Sequence, residues 1–303
     1  MRIFKAVLAL LTVAGLATAQ LGAAENATGP GEFLKIGVGA RYAAMGGAAV
    51  ATADDAYALY WNPGNLTRVG GLSASYMYNS YVSSIKHHFA GMAMPLGPSN
   101  AVAASFQALS FGSIQHRDNS GTDMGEFSPN DAAADLGYAH NFGKGFSAGL
   151  SGRYVRSKIV DSADTFAAGL GLGWMRGRFT TGLALQNLGG RLQLGDRAKD
   201  LPALLQAGAS YRVGQSWVWA LDGTFPKEGN NSLSLGSEYG LFDTVSTILI
   251  RAGYHTRLRN EPFLGGITAG VGLRISAVML DYAWVPMGDL GYTHQISLSL
   301  RLG

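Results

Sequence analysis

From Leu72 to Leu302 the chain runs through fourteen successive stretches in which apolar and polar residues alternate. In 267–275, Ile267, Ala269, Val271, Leu273 and Ile275 share one parity and Thr268, Gly270, Gly272 and Arg274 the other. In 292–302, Ile296, Leu298, Leu300 and Leu302 alternate with Gln295, Ser297, Ser299 and Arg301. Successive side chains of a strand point to opposite faces, so period two puts each set in its own environment. A tilted strand of roughly 9–11 residues crosses a bilayer. An even number of such strands, apolar outward and polar inward, is the pattern of an outer-membrane barrel. The expected fold class is therefore all-β: a transmembrane antiparallel β-barrel of about 14 strands, with an N-terminal lumen plug.

The connections support this without reference to hydropathy. Short links at 97–100, 143–144, 176–177, 214–215, 242–245 and near Ser276 alternate with longer ones at 79–86, 110–130, 159–163, 189–200, 227–230, 258–262 and 285–290. Outer-membrane barrels have short periplasmic turns and longer extracellular loops. Counting from Leu72, both termini are expected on the periplasmic side.

Composition agrees. Hydrophobic residues make up 47% of the chain and charged ones 14%, against about a quarter charged in an ordinary soluble domain. A lipid-facing wall needs no charge. After the first nineteen residues no 18-residue apolar run occurs, so no helical span is expected. Those nineteen read as a signal peptide: Arg2 and Lys5, an apolar 6–16, and Ala17-Thr18-Ala19 as cleavage site. The domains are then 1–19 signal peptide, 20–70 N-terminal segment and lumen plug, and 71–303 barrel, localised after cleavage in the outer membrane of a Gram-negative-type bacterium. The chain has no cysteine, which removes thiolate chemistry and fits an exported protein folding without disulfides. The formal charge of +3 falls to +1 once Arg2 and Lys5 are removed. With no basic stretch interleaved with aromatics, nucleic acid is not an expected partner.

Charges within the strands obey parity. Arg153, Arg178, Arg212, Asp222, Glu238, Arg251, Arg274, Asp281 and Arg301 all fall on the polar face, as a cost of about 2–4 kcal/mol for Arg or Lys at the bilayer midplane requires. Mixed signs on neighbouring strands point to mutual pairing inside the lumen in preference to a single-sign selectivity ring. Gly169, Gly171 and Gly173, alternating with Leu170, Leu172 and Trp174, read either as a flat inner wall or as relief of sheet curvature.

Residues 37–67 break the barrel pattern. Gly46-Gly47 allows a tight bend. Thr52 three residues before Asp55 resembles a helix cap, and Ala56, Leu59 and Tyr60 share a helical face until Pro63. A compact segment of small residues before the first strand is expected to fold up into the lumen. Here the chain resembles the PorV/PorQ family, a branch of the FadL-like outer-membrane proteins. The resemblance rests on Gly39-Ala40-Arg41, Ala44-Met45-Gly46-Gly47-Ala48, Asp54-Asp55-Ala56 and Trp61-Asn62-Pro63, in order and spacing, with Gly64 where the family has alanine. Gln186-Asn187-Leu188-Gly189, Arg251-Ala252-Gly253-Tyr254 and Leu280-Asp281-Tyr282 extend it. The resemblance implies a 14-stranded barrel with an occupied lumen and one of two roles. One is a binding or shuttle component of type IX-like protein secretion, whose partners are secreted cargo or secretion-machinery proteins. The other is a FadL-like passive transporter whose ligand is hydrophobic, such as a long-chain fatty acid. Outer-membrane lipid is a partner in either case.

Enzymatic chemistry is not expected, nor is a cofactor. Gly145-Phe146-Ser147-Ala148-Gly149 matches a nucleophile-elbow pattern, but it lies in an extended run, whereas the elbow needs a strand-to-helix turn. His87 and His88 are adjacent on a strand and point to opposite faces, so they cannot chelate one ion. Asp54 and Asp55 suit capping and plug hydrogen bonds better than a cation. Of the tryptophans, Trp217 and Trp219 read as part of an interfacial girdle. Only Trp61, in the plug, is a candidate to contact a ligand in the lumen, and packing in the core is the preferred reading of it.

Overall fold

The computed structural model describes residues 31–303 apart from 82–84, 118–119, 121, 160–161, 195–196, 244, 257–264 and 288–290. The proposed signal peptide lies outside the described residues. Strands β1 (Leu72–Ser80), β2 (Lys86–Leu96) and β3 (Asn100–Ser110) open the wall; β4 (Ile114–Arg117) and β5 (Asp123–Phe127) form a hairpin in the next loop. The wall continues through β6 (Asn130–Gly143), β7 (Phe146–Lys158), β8 (Ser162–Arg176) and β9 (Phe179–Leu188). A second loop hairpin follows, β10 (Arg191–Leu194) with β11 (Arg197–Asp200). The last seven strands are β12 (Leu204–Val213), β13 (Trp217–Pro226), β14 (Ser232–Phe242), β15 (Ser246–His255), β16 (Ile267–Ile275), β17 (Val278–Pro286) and β18 (Tyr292–Leu302).

Fourteen of these strands form one closed antiparallel barrel, with β1 pairing β18 from Leu72↔Leu302 to Ser80↔His294. Closure leaves no unpaired edge, which a sheet in lipid requires because hydrocarbon offers the backbone no hydrogen bonds. The alternation read from the sequence is the alternation of burial. In β16, Ile267, Ala269, Val271 and Leu273 are exposed while Thr268, Gly270 and Gly272 are buried. Outward side chains such as Leu136 and Phe166 are 70% and 72% exposed, as acyl-chain contact demands. Two of the longer links, 110–130 and 189–200, contain the two hairpins.

The lumen is filled by the segment preceding β1. It contains short helical turns at Glu32–Lys35, Ala40–Ala44, Ala58–Trp61 and Pro63–Arg68. Val38, Tyr42, Tyr57, Leu59, Trp61 and Leu66 pack with Met77, Phe89, Ala101 and Ala139 of the wall. One expectation is corrected. The segment was expected to enter from the short-turn side, yet its first described residues lie at the loop end. Phe33 and Leu34 pack against Leu109, Ala133, Val155, Leu192 and Leu201, and Glu32 accepts a hydrogen bond from Lys199. From there the chain descends the lumen and leaves at the short-turn end as β1. The physical reason is the apolar pair Phe33-Leu34, which is buried between the loop end of the wall and Leu192 and Leu201.

Candidate functional site: the plugged lumen

Four sets of contacts hold the plug, and each pairs a feature of residues 39–65 with inward-facing groups of the wall. The first is ionic. Arg41 donates through Nε and Nη2 to both oxygens of Glu238, at 2.8 and 2.9 Å, and through Nη1 to Asp54 at 2.9 Å. Glu238 also accepts from Arg251 Nε at 2.7 Å, and Arg251 Nη1 donates to Asp281 at 2.8 Å. Arg251 is 2% exposed. A buried charge must be paired and hydrogen-bonded, and this chain of alternating signs supplies the pairing, although Arg251 Nη2 is left without a hydrogen-bond partner among the described residues. Arg301, at the short-turn mouth, donates to the Asp54 carbonyl at 2.9 Å. Burial works to raise the Asp54 carboxyl, but Arg41, Arg301 and Arg68 outweigh it and hold it well below the ordinary range. Burial pushes neighbouring Asp55 up to about 6, and the Asp54 charge adds to the effect.

The second set clasps backbone amides. Asp222 accepts from the amides of Ala49 and Val50, both at 2.7 Å. Thr268 accepts from Gly46 N and donates to the Ala44 carbonyl, both at 3.0 Å. Met45-Gly46-Gly47 makes its bend with φ of 67° and 84° at the glycines, and a Cβ on Gly46 would meet the backbone of Tyr254 at 2.8 Å. Here glycine is needed both for the turn and for the approach.

The third set is a floor of wall glycines. A Cβ on Gly171 would strike Asn62 Oδ1 and the Gly64 amide; one on Gly149 would strike the Pro63 carbonyl; one on Gly173 would stand 3.0 Å from Asn65 Oδ1. Of the two sequence readings of the alternating glycines, the flat wall has direct support: plug backbone lies against it. Asn62 Nδ2 donates to the Val50 and Leu172 carbonyls, while its Oδ1 accepts from Gly64 N. Pro63 starts the 3-10 turn that follows, and Trp61 is buried, donating to the Val38 carbonyl at 3.0 Å.

The fourth set lies nearer the loop end. Arg153 donates to Asp135 and Asn187, both at 2.6 Å, and Gln186 donates to the Tyr60 and Trp61 carbonyls. Asp135 was missed in the sequence, although it stands directly opposite Arg153 in the β6–β7 register. Thr268 was missed because a lone threonine on a polar face carries no signal of its partner.

The charges expected in the lumen thus divide. Arg153, Asp222, Glu238, Arg251 and Asp281 are buried within it. Arg212, Arg274 and Arg301 keep the inward parity but sit exposed at the short-turn end. Arg178 is corrected: it lies in the turn between β8 and β9 and is exposed, because the strand ends at Arg176 and Gly177 turns the chain. Thr52 does not cap a helix; its hydroxyl donates back to the Ala48 carbonyl at 2.8 Å. Asp55 takes the position near the helix start, accepting from Tyr57 N at 3.0 Å. Ser147 is buried in β7, where its hydroxyl faces the Gly173 carbonyl at 3.5 Å. His87 is buried inside the barrel and His88 lies on the outer face, bonded to Tyr76.

A cavity of about 260 Å³ opens at the short-turn mouth, and one of about 10 Å³ lies between the plug and β7–β9. The plug side chains occupy the space that a conducting lumen would leave open.

Comparison with known proteins agrees with this geometry. The family model described as "Type IX secretion system protein PorV" matches residues 22–172, which include the described plug and the wall as far as β8. The toluene transporter TodX of Pseudomonas putida superposes with a TM-score of 0.60 at 12% identity, covering 87% of this chain and 96% of that one. A FadL homologue of Pseudomonas aeruginosa gives 0.58 at 10%, covering 87% and 98%. The toluene transporter TbuX of Ralstonia pickettii gives 0.59 at 14%, covering 88% and 99%. At these identities the likeness is one of fold. No curated protein matches.

Proposed function

Since the chain belongs over residues 22–172 to the family of the type IX secretion protein PorV, and is an outer-membrane barrel of FadL-like fold, we propose that it serves protein secretion as a binding or shuttle component. It works through its extracellular rim. The observation that carries this reading is the plug. Its anchorage by buried ion pairs, amide clasps and backbone-to-glycine packing suits a lumen that stays closed and a surface that does the work. Bilayer-facing apolar residues hold the barrel in place, and the plug stiffens the wall from within. The 114–127 and 191–200 hairpins stand at the rim, where they can meet an exported polypeptide or a neighbouring component. In this reading residues 1–19 are a cleaved signal, and neither the plug motif nor the buried lumen charges touch substrate; both are structural.

Fold likeness to hydrophobic-solute channels supports the other reading, passive transport, and one experiment separates the two. Deleting 114–127 from the rim, with the barrel still shown to fold by heat-dependent gel migration, is expected to abolish surface display of secreted cargo and leave uptake of a radiolabelled fatty acid unchanged. Normal display with diminished uptake would overturn the proposal.

A further inference from the structure

The cavity at the short-turn mouth has a composition that the plug's anchorage does not explain. Arg41, Arg274 and Arg301 converge on it. Arg41 and Arg301 are engaged, the first by Glu238 and Asp54 and the second by Asp54. The Arg274 guanidinium has no hydrogen-bond or ion-pair partner among the described residues, though it shares the cavity with two other cations. Asp55 and Asp281 also line the space, and neither bonds to Arg274. Asp281 is committed to Arg251 at 2.8 Å, and Asp55 accepts the Tyr57 amide. Arg41 and Arg301 are thus paired while the donors of Arg274 stay open to an anion.

The turn between β16 and β17 adds a second feature. Other turns at this end set glycine in the left-handed region at Gly97, Gly177 and Gly214, and Lys144 also stands there, at φ 53°. Here the residue is Ser276, at φ 53°, a conformation unfavourable for a side chain. Ser276 lines the cavity with Ser73 and Ser299; Ser73 accepts from the Ala56 amide and Ser299 is bonded to Ser75, which leaves Ser276 as the hydroxyl without such a contact among the described residues. A guanidinium fork with hydroxyls beside it is the donor set that oxyanions recognise. The volume, about 260 Å³, exceeds that of a bare ion and falls just short of the roughly 300 Å³ at which small-molecule sites begin.

We propose that the short-turn mouth is a binding site for a small oxyanion, a phosphate- or carboxylate-bearing molecule of the periplasm, with Arg274 as its principal anchor and Ser276 as a hydrogen-bond donor. Occupation places a negative charge between Arg274 and Arg301 and so fastens the foot of the plug. This goes beyond the secretion reading and does not depend on it.

Isothermal titration of the full chain in detergent, in chloride buffer, with inorganic phosphate and separately with acetate, tests it. Saturable binding of at least one of the two is expected, and which of them binds identifies the headgroup chemistry. Arg274→Gln is expected to weaken binding about tenfold or more, the loss of one charge-assisted hydrogen bond, with heat-dependent gel migration unchanged because the Arg274 guanidinium makes no hydrogen bond or ion pair among the described residues. Ser276→Gly is expected to weaken binding while leaving thermal stability equal or higher, which a purely structural serine would not do. Absence of saturable binding by either anion overturns the proposal. So does undiminished binding by Arg274→Gln, or by Ser276→Gly should the arginine variant fail to fold.

Discussion

Replacing Glu238 by glutamine removes one charge from the centre of the plug's ionic anchorage and changes almost nothing in shape. In the native protein Glu238 accepts two bonds from Arg41 and one from Arg251. Asp54 remains for the first arginine and Asp281 for the second. Two guanidiniums then share two carboxylates where they shared three, and one of them is fully enclosed. Breaking a buried pair from one side costs about 3–5 kcal/mol. At about 1.4 kcal/mol per decade, the undocking equilibrium of the plug rises by roughly two to four decades. Hydrogen exchange reads this directly. The amides of Ala40, Gly46, Ala49 and Val50 are bonded to wall side chains, so their exchange measures detachment of the plug from the barrel. In Glu238→Gln they are expected to exchange faster by that factor, while amides of the β6–β8 wall are unchanged. Equal exchange at all four positions would refute the idea that this anchorage holds the plug.

Three further outcomes follow. Gly171→Ala drives a methyl group into Asn62 and Gly64, so overpacking is expected to cost about 1–3 kcal/mol, seen as a lower temperature for the heat-dependent gel shift; no change would argue against a glycine floor. Asp222→Ala strips two buried amides of their acceptor, at about 1–3 kcal/mol for each group left unmatched, and faster exchange at Ala49 and Val50 is the check. Asp55 has its carboxyl raised to about 6, so the folded state binds its proton more tightly than the unfolded chain. Its unfavourable share is absent below the unfolded value near 3.9, grows as pH rises towards 6 and is full above it. Asp55→Asn is therefore expected to flatten the stability profile between about pH 4 and 6; an unaltered slope would show that another group titrates there.

The barrel was legible in the sequence because lipid and lumen impose opposite demands on alternate residues, and Ile267–Ile275 shows both in nine positions. Strand count followed from the same rule, and the gathering of short links at one end and long ones at the other from their lengths. The plug was legible as an interruption, through Gly46-Gly47, Asp54-Asp55 and Trp61-Asn62-Pro63. Its path was not, because the direction of threading depends on where Phe33-Leu34 finds an apolar lid, a contact across more than 150 residues to Leu192 and Leu201. Charge parity placed Glu238 and Arg251 inside but could not pair Glu238 with Arg41, since period two reveals a face and no partner. Arg178 shows the limit of the parity rule: at a strand end one residue of difference moves a side chain from lumen to turn.

That the plug remains seated while the protein works is tested most directly by tying it down. The chain has no cysteine of its own, so an introduced pair reports without background. A Cβ on Gly91 would stand 3.5 Å from that of Ala56, within the roughly 3.5–4.5 Å span of a disulfide, once the Phe89 ring, 2.9 Å away, turns aside. Surface display of cargo by Ala56→Cys/Gly91→Cys is expected to be the same oxidised and reduced. Display lost on oxidation and regained with reductant would show that the plug must leave its seat.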